Sequence, residues 1–318
     1  MINYFLTIIF FLKLKRLIKL KASGGLGNQL FQIAFSYSLL KKYPESILFI
    51  DKGWFKKNKI RDFLLDKLPI SIYFKKMPKL TYREKGIFII HNTILNFLKL
   101  YKYILKDISF FSKTNKKLYA FLSKLGLYTD DNRSFIKFGK TFSPVITISG
   151  YFQDINYVYD YQEELRNLIL KTPKLKTENY LSSNIDKSID KLSCLSRLGD
   201  DFIGNIDPEL FLINSLNKII ESGQNLNCIM FSDNPKKLKK ITKDIKNKIY
   251  IKTQDPLIQL YIASQAKFFI LSNSSFAWWA YFLSEENNKL VLKPKNWFID
   301  THKCPNFRPE DKIFDIDC

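Results

Sequence analysis

The sequence predicts an α/β protein with two Rossmann-like, doubly wound domains. Three observations support this fold class. The chain has 318 residues and 46% hydrophobic content, which suits two domains with buried cores. Short apolar strands alternate with helical patterns at both ends of the chain, and a glycine-rich turn joins the first strand to the first helix.

The N-terminal elements form a predicted βαβ unit. Residues 17–22 are an apolar strand, residues 23–28 a turn, residues 29–42 a helix, and residues 47–50 a second strand. Helical spacing places one face of this helix against the sheet, formed by Leu30, Phe31, Ala34, Phe35, Ser38 and Leu39. From about residue 54 to residue 142 the sequence predicts amphipathic helices without any catalytic spacing.

The last third of the chain carries a second, longer alternation. The predicted strands are 192–195, 228–231, 249–252, 268–271 and 290–293, and the predicted helices are 208–221, 235–245, 256–265 and 275–283. Two helices begin with the pairs Asp207-Pro208 and Asp255-Pro256, which are typical of an N-cap followed by a first-turn proline. Ligands bind beyond the carboxyl ends of the strands in such a sheet. The loops at those ends are polar, at 197–201, 232–234 and 272–275.

The net charge of +21 is compatible with a nucleic acid, an anionic lipid or a phosphorylated substrate as partner. Only seven of the 51 basic residues are Arg, whereas proteins that read base edges and phosphates favour the planar fork of Arg. The composition therefore argues against nucleic acid. It leaves a weak attraction to acidic membranes.

The supply of Cys and His restricts the chemistry further. Four Cys are scattered without a C-x-x-C pair, and His91 and His302 are the only two histidines. A zinc site needs about four N or S ligands, and a Ser-His-Asp triad needs one well-placed His. The chain has few residues for either a zinc site or a Ser-His-Asp triad. The cysteine usage fits a reducing, cytoplasmic compartment.

Residues 1–16 form an apolar and basic leader. The apolar run Tyr4–Leu12 is shorter than the ~20 residues of a spanning helix, and its charges follow the run rather than precede it, unlike those of a signal peptide. Two interpretations stay open: an interfacial anchor at the inner face of the membrane, and a disordered or mis-started leader. A basic flank would stay cytoplasmic in either case.

The turn Gly24–Gln29 places three of the eleven glycines of the chain in four positions, between a strand and a helix N-terminus. Glycines allow close approach of the backbone to a ligand, and free N–H groups at a helix start favour an anion. The alternative is a purely structural tight turn. An NAD site with Asp51 as ribose ligand is a distant option, because Leu30 occupies the third glycine position of G-x-G-x-x-G.

The segment 24–32, GGLGNQLFQ, resembles the N-terminal signature of the alpha-1,2-fucosyltransferases of glycosyltransferase family 11. Four further segments resemble family segments in the same order along the chain: Gly150-Tyr-Phe-Gln153, Phe231-Ser-Asp-Asn234, Asn273-Ser-Ser-Phe-Ala-Trp-Trp279 and Pro294-Lys-Asn-Trp-Phe298. The resemblance implies a GT-B-like fold, in which two domains face a cleft. The expected domains are an acceptor-side domain at 17–190 and a nucleotide-sugar donor domain at 191–318.

The chain departs from the family pattern H-x-R-R-G-D. Leu195 stands at the His position, Leu198 at the second Arg position, and Asp201 at the following aromatic position. Arg197 is the one cation of this motif that remains.

The resemblance implies roles for particular residues. Arg197 would pair with the GDP diphosphate through its bidentate guanidinium, and an ion pair with Asp200 or Asp201 is the structural alternative. By chemistry alone, Asp200 and Asp154 are candidates for the general base, and Asp200 is expected to be catalytic together with Arg197; late proton transfer to phosphate is a third option. The implied donor-binding residues are Gly25, Gly27, Asn28, Gln29, Asp233, Asn273, Ser274 and Ser275, and Gln153 is implied on the acceptor side.

Simple N-capping is the structural alternative for Asp233 and Ser274. Trp278 and Trp279 are assigned to helix packing rather than to base stacking. The tripeptide Asp315-Ile316-Asp317 spells D-x-D, but its expected place in the C-terminal tail, rather than at a strand end inside a sheet, argues against a metal site. Neither a metal nor another cofactor is expected.

The implied reaction is an inverting transfer of L-fucose from GDP-fucose to the 2-hydroxyl of a galactose residue in a surface glycan. The expected partners are a GDP-sugar donor and a galactose-containing glycan acceptor, and a peripheral membrane contact is a further candidate. A family member with an altered donor or reduced activity is the first alternative. A non-enzymatic basic protein that binds membrane or nucleic acid is the second, and it would leave the ordered motifs unexplained.

Overall fold

The computed structural model describes residues 15–104, 111–130, 135–181, 189–199, 206–297 and 306–318. The chain divides into two compact units. Unit 1 comprises Met1–Asp66 and Ile70–Val158, and unit 2 comprises Lys67–Pro69 and Tyr159–Cys318. Most of the predicted leader lies outside the described residues.

Unit 1 is built on a four-stranded parallel sheet with the order β2-β1-β4-β3. Its strands are β1 (Leu17–Lys21), β2 (Ile47–Asp51), β3 (Leu127–Thr129) and β4 (Val145–Ser149). Leu20 of β1 pairs with Ile50 of β2 on one side and with Ile148 of β4 on the other. The loops after β1 and β4 therefore lie side by side at the carboxyl edge of this sheet.

The helices of unit 1 are α1 (Leu26–Lys42), α2 (Gly53–Lys57), α3 (Tyr82–Ile104) and α4 (Phe111–Lys124). The predicted apolar face of α1 is buried, apart from the half-buried Ser38. This helix begins at Leu26 rather than at Gln29, because Gly25 is extended and forms the N-cap. Gly27 consequently lies in the first helical turn and not in the loop. α3 and α4 confirm that the sequence predicted as helical in this half of the chain forms helices.

Unit 2 contains a six-stranded parallel sheet with the order β10-β9-β8-β5-β6-β7. Its strands are β5 (Lys191–Ser196), β6 (Asn227–Ser232), β7 (Lys248–Tyr250), β8 (Phe268–Leu271), β9 (Leu290–Pro294) and β10 (Lys312–Ile316). From β5 the chain winds through β6 to β7 at one edge and then through β8 and β9 to β10 at the other. This is the strand order of the Rossmann fold, and its ligand crevice lies between β5 and β8, where the winding reverses.

The helices of unit 2 are α5 (Gln162–Leu181), α6 (Pro208–Glu221), α7 (Pro235–Ile241), α8 (Pro256–Ala263) and α9 (Ser275–Leu283). Both predicted Asp-Pro caps are confirmed. The Asp207 carboxylate accepts the N–H groups of Glu209 (2.9 Å) and Leu210 (3.1 Å), and Asp255 accepts that of Leu257 (2.9 Å). Trp278 and Trp279 are fully buried, which confirms their assignment to the core.

The division between the units falls at residues 158 and 159 rather than near the predicted residue 190. Helix α5 belongs to unit 2 because it packs on α8 and α9. The Arg166 guanidinium donates to the carbonyl oxygens of Leu283 (2.8 Å) and Ser284 (2.9 Å), and the Gln162 amide donates to that of Phe282 (2.6 Å). These side chains satisfy carbonyl groups at the C-terminal end of α9.

The predicted class, α/β with two GT-B-like doubly wound units, is confirmed by the two sheets. Among the described residues, none of the helices combines the length and the apolar character that crossing a bilayer requires. Cys194, Cys228 and Cys318 are free thiols, and burial raises the pKa of Cys228 to about 11.

Candidate functional site

Strand register brings Arg197 beside Asp233 at the carboxyl edge of the unit 2 sheet. Ser196, the last residue of β5, pairs with Ser232, the last residue of β6, so the residues that follow each strand are neighbours. The Nε atom of Arg197 lies 2.7 Å from Oδ2 of Asp233. The ion pair of Arg197 is thus with Asp233, and its alternative partners Asp200 and Asp201 lie outside the described residues.

Asp233 also organises the loop that carries Arg197. Its Oδ1 accepts the backbone N–H groups of Leu198 (2.7 Å) and Gly199 (2.9 Å). The Asp233 carboxylate is therefore engaged with protein groups on both oxygens, and this geometry favours a positioning role over the nucleoside contact predicted from sequence. N-capping of α7 falls to Asn234 instead, which accepts the N–H of Lys237 (3.2 Å).

The two leucines that replace family cations are core residues. Leu195 is 4% exposed on β5, and Leu198 is 1% exposed in the apolar cluster that contains Phe211 and Leu212 of α6. An apolar side chain at position 198 therefore contributes to packing where the family pattern has a charge. Arg197 remains as the cation of this motif at the crevice.

The N-terminus of α9 lies across the same switch point. Leu195 pairs with Leu271, and Ser272 N–H donates to the Leu195 carbonyl (3.0 Å), so the loop 272–275 lies next to the Arg197 loop. Ser274 is the N-cap residue of α9, but within the described structure its hydroxyl makes no capping hydrogen bond. The first N–H groups of α9 and the Ser274 hydroxyl are thus suited to receive an anion.

Asn273 links this loop to the PKNWF segment. Its Nδ2 donates to the carbonyl of Trp297 (3.3 Å), whereas its buried Oδ1 has no hydrogen-bond partner among the residues that the structure describes. A buried acceptor without a donor is costly. Asn273 therefore has the chemistry to accept a ligand hydrogen bond, and its role in donor binding stays a prediction.

The D-x-D tripeptide lies at the edge of the same sheet. Asp315 is on strand β10 and pairs with Lys293 of β9, while Asp317 pairs with Lys295 (3.2 Å). The sequence interpretation placed this tripeptide in a tail, and the structure corrects that placement. In the described part of the chain, no group of three or more His, Cys, Asp or Glu side chains is placed so that it could hold a metal ion.

In unit 1, the glycine-rich turn follows β1 at the corresponding switch point. Gly24 has φ +82°, and a Cβ atom built on it would lie 2.7 Å from Nδ2 of Asn28, so this position requires glycine. Gly25 has open space around its Cα. Gly25 is thus the glycine whose backbone a ligand can approach.

Two glutamines hold this turn in place. The fully buried Gln29 donates to the carbonyls of Gly24 (3.0 Å) and Asp62 (2.8 Å) and accepts the N–H of Leu64 (3.0 Å). These bonds favour a positioning role for Gln29 over the direct donor contact predicted from sequence. Gln32 was not predicted as a site residue.

The Gln32 amide joins the loop after β1 to the loop after β4. It donates to Ser23 Oγ (3.1 Å) and to the Gly150 carbonyl (3.1 Å), and it accepts the Ser23 N–H (3.1 Å). Gln153 then donates to Oδ1 of Asn28 (2.8 Å). The first two family segments therefore form one hydrogen-bonded structure.

The GYFQ segment itself is tightly constrained. Phe152 has φ +54°, an uncommon conformation for a non-glycine residue, and its ring stacks on Phe35 at 4.0 Å. Asp130 fixes this conformation by accepting the N–H groups of Tyr151 (3.2 Å) and Phe152 (2.6 Å). A Cβ atom on Gly150 would lie 2.2 Å from Oδ1 of Asp130. Such over-determined strain is typical of functional segments.

A cavity of about 340 Å³ opens beside these loops, wholly within unit 1. Four of its walls come from the carboxyl ends of β1 to β4 and a fifth from α3. The lining comprises Lys21, Ala22, Ser23, Asp51, Trp54, Leu95, Leu98, Lys99, Thr129, Asp130, Ser149, Gly150 and Tyr151. Its size and its mixture of hydroxyl, charged and aromatic groups are typical of a small-molecule site.

The charged groups of this cavity are partly paired. Asp51 accepts the Gly53 N–H (2.9 Å) and pairs with Lys19 (3.0 Å). Burial acts to raise the pKa of Asp51, but these two partners outweigh it and the pKa is lowered. Lys21 donates to Asn92 (3.0 Å), and burial together with Lys19 lowers its pKa. Asp51 thus belongs to the cavity wall, and the NAD interpretation gains no support.

Two other polar residues have structural partners. His91 accepts from Thr147 Oγ1 (2.9 Å) through Nδ1 and donates from Nε2 to the Leu125 carbonyl (3.1 Å), and burial lowers its pKa. Asp154, a candidate general base, is buried and accepts the Asn156 N–H (2.9 Å) as the cap of a 3-10 turn. The other candidate, Asp200, lies outside the described residues.

A family model described as glycosyl transferase family 11 matches residues 17–312. The chain belongs to glycosyl transferase family 11. The match includes most of both units and all five segments on which the resemblance was based. The family confirms a glycosyltransferase and leaves donor and acceptor to be established.

Two Escherichia coli relatives have similar sequences. The alpha-1,2-colitosyltransferase is 24% identical over 295 residues, which cover 87% of this family 11 chain and 91% of the relative. The O-antigen biosynthesis glycosyltransferase WbnK is 24% identical over 310 residues, which cover 88% of this chain and 95% of the relative.

Solved structures with similar folds include the fucosyltransferase NodZ from Bradyrhizobium, with a TM-score of 0.48, 10% identity, and coverage of 85% of this chain and 93% of NodZ. A mutant of Arabidopsis thaliana FUT1 in complex with GDP has a TM-score of 0.45 and 14% identity, and the match covers 93% of this chain and 76% of FUT1.

Proposed function

We propose that this family 11 enzyme transfers L-fucose, with inversion, from GDP-fucose to the 2-hydroxyl of a galactose residue in a surface glycan. The observation that carries the proposal is the switch point of unit 2. There the register places Arg197, Asn273 and the N-terminus of α9 around one crevice. A cation, a buried acceptor and free helix N–H groups are the chemistry that a nucleoside diphosphate requires.

In the proposed donor site, each of these residues has a distinct role. Arg197 would bind the diphosphate, and the Asp233 carboxylate would hold the guanidinium in position. The Ser274 and Ser275 groups at the start of α9 would donate to phosphate oxygens. Gly25, in open space at the start of α1, would allow a donor group to approach the backbone of unit 1.

The acceptor assignment rests on the unit 1 cavity. Its volume of about 340 Å³ suits a short glycan, and its hydroxyl and lysine groups would hydrogen-bond sugar hydroxyls. The half-buried indole of Trp54 offers an apolar face to the C–H face of a sugar ring. Gln153, tied to Asn28 beside this cavity, would position the acceptor.

In the proposed reaction, the acceptor 2-hydroxyl oxygen forms a bond to C1 of fucose while the bond from C1 to the β-phosphate oxygen breaks. GDP leaves with the bonding electrons, and Arg197 and the α9 N-terminus stabilise the charge that develops on it. The hydroxyl proton passes to Asp200 or to a phosphate oxygen. No metal is needed in this proposal, because cationic and N–H groups supply the electrostatic stabilisation.

Colitose is a second candidate for the transferred sugar. It is favoured by the similarity to the alpha-1,2-colitosyltransferase over 87% of the chain and by the loss of two motif cations at Leu195 and Leu198. The name of the relative WbnK supports a role in O-antigen or similar polysaccharide synthesis. We place the enzyme in the cytoplasm, at the inner face of the bacterial membrane.

The test is a transfer assay with the purified full-length protein, EDTA and a β-galactoside acceptor. The donors are GDP-fucose, GDP-colitose, GDP-mannose and UDP-galactose, and the product linkage is read by NMR. An alpha-1,2-fucosyl product is expected. A colitosyl product would favour the second candidate. Transfer from UDP-galactose alone, or to a hydroxyl other than the 2-hydroxyl, would overturn the proposal, and activity restored by a divalent metal would overturn its metal-free part.

A further inference from the structure

The outward side of helix α3 has an unusual composition for a surface helix. Its inward side is buried through Phe88, His91, Leu95 and Leu98. Arg83 and Lys85 are exposed in the first turn of α3, and the helix then carries no Lys, Arg, Asp or Glu from Gly86 to Leu98. Its exposed apolar side chains are Tyr82 (93%), Ile89 (65%), Ile90 (57%), Phe97 (65%) and Leu100 (55%).

A helix that is apolar on both sides is normally buried on both sides. In α3 only the inner side is buried by described residues. Helix α4 shares an apolar cluster with α3 through Tyr119 and Leu122, and it leaves Leu118 and Phe121 exposed, followed by Leu125. We call the exposed apolar side chains of both helices, with Leu125, the α3–α4 surface.

Elsewhere in the described part of the chain there is no such concentration. Twelve of the sixteen large hydrophobic side chains recorded as exposed lie in unit 1, and eight of those belong to the α3–α4 surface. A concentration of exposed apolar side chains of this kind on a folded domain marks an interaction site.

The charge of the same segment identifies the kind of partner. Residues 75–125 contain twelve Lys or Arg and two Asp or Glu, so this stretch carries +10 of the +21 of the chain. On α4 the exposed Lys117 and Lys124 alternate with the exposed apolar residues. Long lysine side chains beside apolar groups can place their ammonium groups at the headgroup level of a bilayer.

We infer that the α3–α4 surface docks on an anionic lipid bilayer, with the apolar side chains in the interface and the lysines against the headgroups. A second copy of the chain is a poor occupant, because each copy would present the same excess of positive charge. Nucleic acid would leave the apolar centre of the surface without a partner. An anionic membrane satisfies both features at once.

This surface is connected to the candidate acceptor cavity. Leu95, Leu98 and Lys99 of α3 line that cavity. A bilayer on the outer side of α3 would therefore place the cavity close to glycans carried on membrane lipids. The docking proposal itself rests on exposure and charge and does not depend on the proposed sugar specificity.

The test is sedimentation of the full-length protein with vesicles of phosphatidylcholine, alone or mixed with phosphatidylglycerol. The surface variant is Ile89→Ser, Phe97→Ser and Leu100→Ser combined. The matched control is Leu210→Ser, Ile213→Ser and Ile220→Ser combined, since these residues are 40–60% exposed on α6 of unit 2. A third variant, Ile8→Ser, Ile9→Ser and Phe11→Ser, tests the leader.

We expect wild type and control to bind the anionic vesicles, with binding weakened by salt, and the surface variant to bind about tenfold less. Circular dichroism and thermal unfolding of all variants report whether the full-length chain keeps its fold, so that misfolding is recognised. Equal binding of the surface variant and wild type would overturn the inference. So would loss of binding only in the leader variant, equal binding to vesicles without phosphatidylglycerol, or a wild-type dimer that the surface variant dissociates.

Discussion

Replacing Arg197 by Ala provides the sharpest test of the donor site. The guanidinium lies just after β5, where the sheet reverses its winding, and its Nε atom is 2.7 Å from Oδ2 of Asp233. Hydrogen bonds to charged groups contribute about 1.5–3 kcal/mol. Because the Arg197 side chain is 33% exposed, solvent screening favours the lower part of that range.

We therefore expect Arg197→Ala to raise the Kd for GDP by about 10- to 30-fold, since about 1.4 kcal/mol is tenfold. Arg197→Lys keeps the charge but loses the planar fork and should fall between wild type and Ala. Isothermal titration calorimetry with GDP, without metal, measures all three proteins. The Kd should also rise with salt concentration, and less steeply for Arg197→Ala.

Lys267→Ala is the matched control. Lys267 is a similarly exposed cation (37%), and it pairs with Asp190 at 3.7 Å near the opposite, amino edge of the same sheet. Its removal changes the net charge equally but should leave the Kd within about twofold, because no crevice lies there. If both variants lose affinity equally, the effect is one of net charge. If Arg197→Ala binds GDP as wild type does, the donor site is assigned wrongly.

Four further substitutions test other parts of the structure. Leu198→Arg restores the second Arg of the family pattern and places a charge in the apolar core. It should lower the free energy of unfolding, measured in urea, by about 4 kcal/mol or more. A stable variant with tighter GDP binding would contradict this. Burial lowers the pKa of His91 below its usual value of about 6.5. The unfolded state therefore binds more protons in acid, and the free energy of unfolding should fall as the pH drops below about 6.5. In denaturant titrations, the free energy of unfolding of His91→Gln should depend less on pH. Gly150→Ala should lower the Tm, because its Cβ would lie 2.2 Å from Oδ1 of Asp130. Gly25→Ala should keep the Tm and reduce transfer activity, because the space around Gly25 is open. A lower Tm for Gly25→Ala and an unchanged Tm for Gly150→Ala would contradict these roles.

The sheet of unit 2 was largely predictable from the sequence. Strands β6 and β8 contain continuous apolar runs between polar loops, and β8 and α6 have the predicted bounds. Strand β10 was missed because Ile316 is its one buried residue, so an edge position gives it little apolar character. Strands β3 and β4 were also missed, because the sequence around them lacks the regular alternation of the two ends.

The site was predictable only where a motif carried it. Arg197, Asn273 and Ser274 lie together because parallel register aligns the ends of β5 and β8, which the strand prediction already implied. Gln32 lay within the quoted segment, and a polar residue in an apolar helix face was the signal that could have identified it. Nothing in the sequence around Asp130 indicated its role, because its carboxylate binds the backbone N–H groups of residues 151 and 152, which are distant in sequence.

The position of β5 in its sheet has a consequence for biosynthesis. This strand is buried along five of its six residues, yet its second neighbour, β8, is supplied only by residues 268–271. A nascent chain that has emerged as far as β7 therefore presents β5 with one row of backbone groups unpaired, an edge that invites pairing with another chain. The donor crevice is completed late in translation, and chains interrupted between β7 and β8 should aggregate rather than persist as partly active fragments.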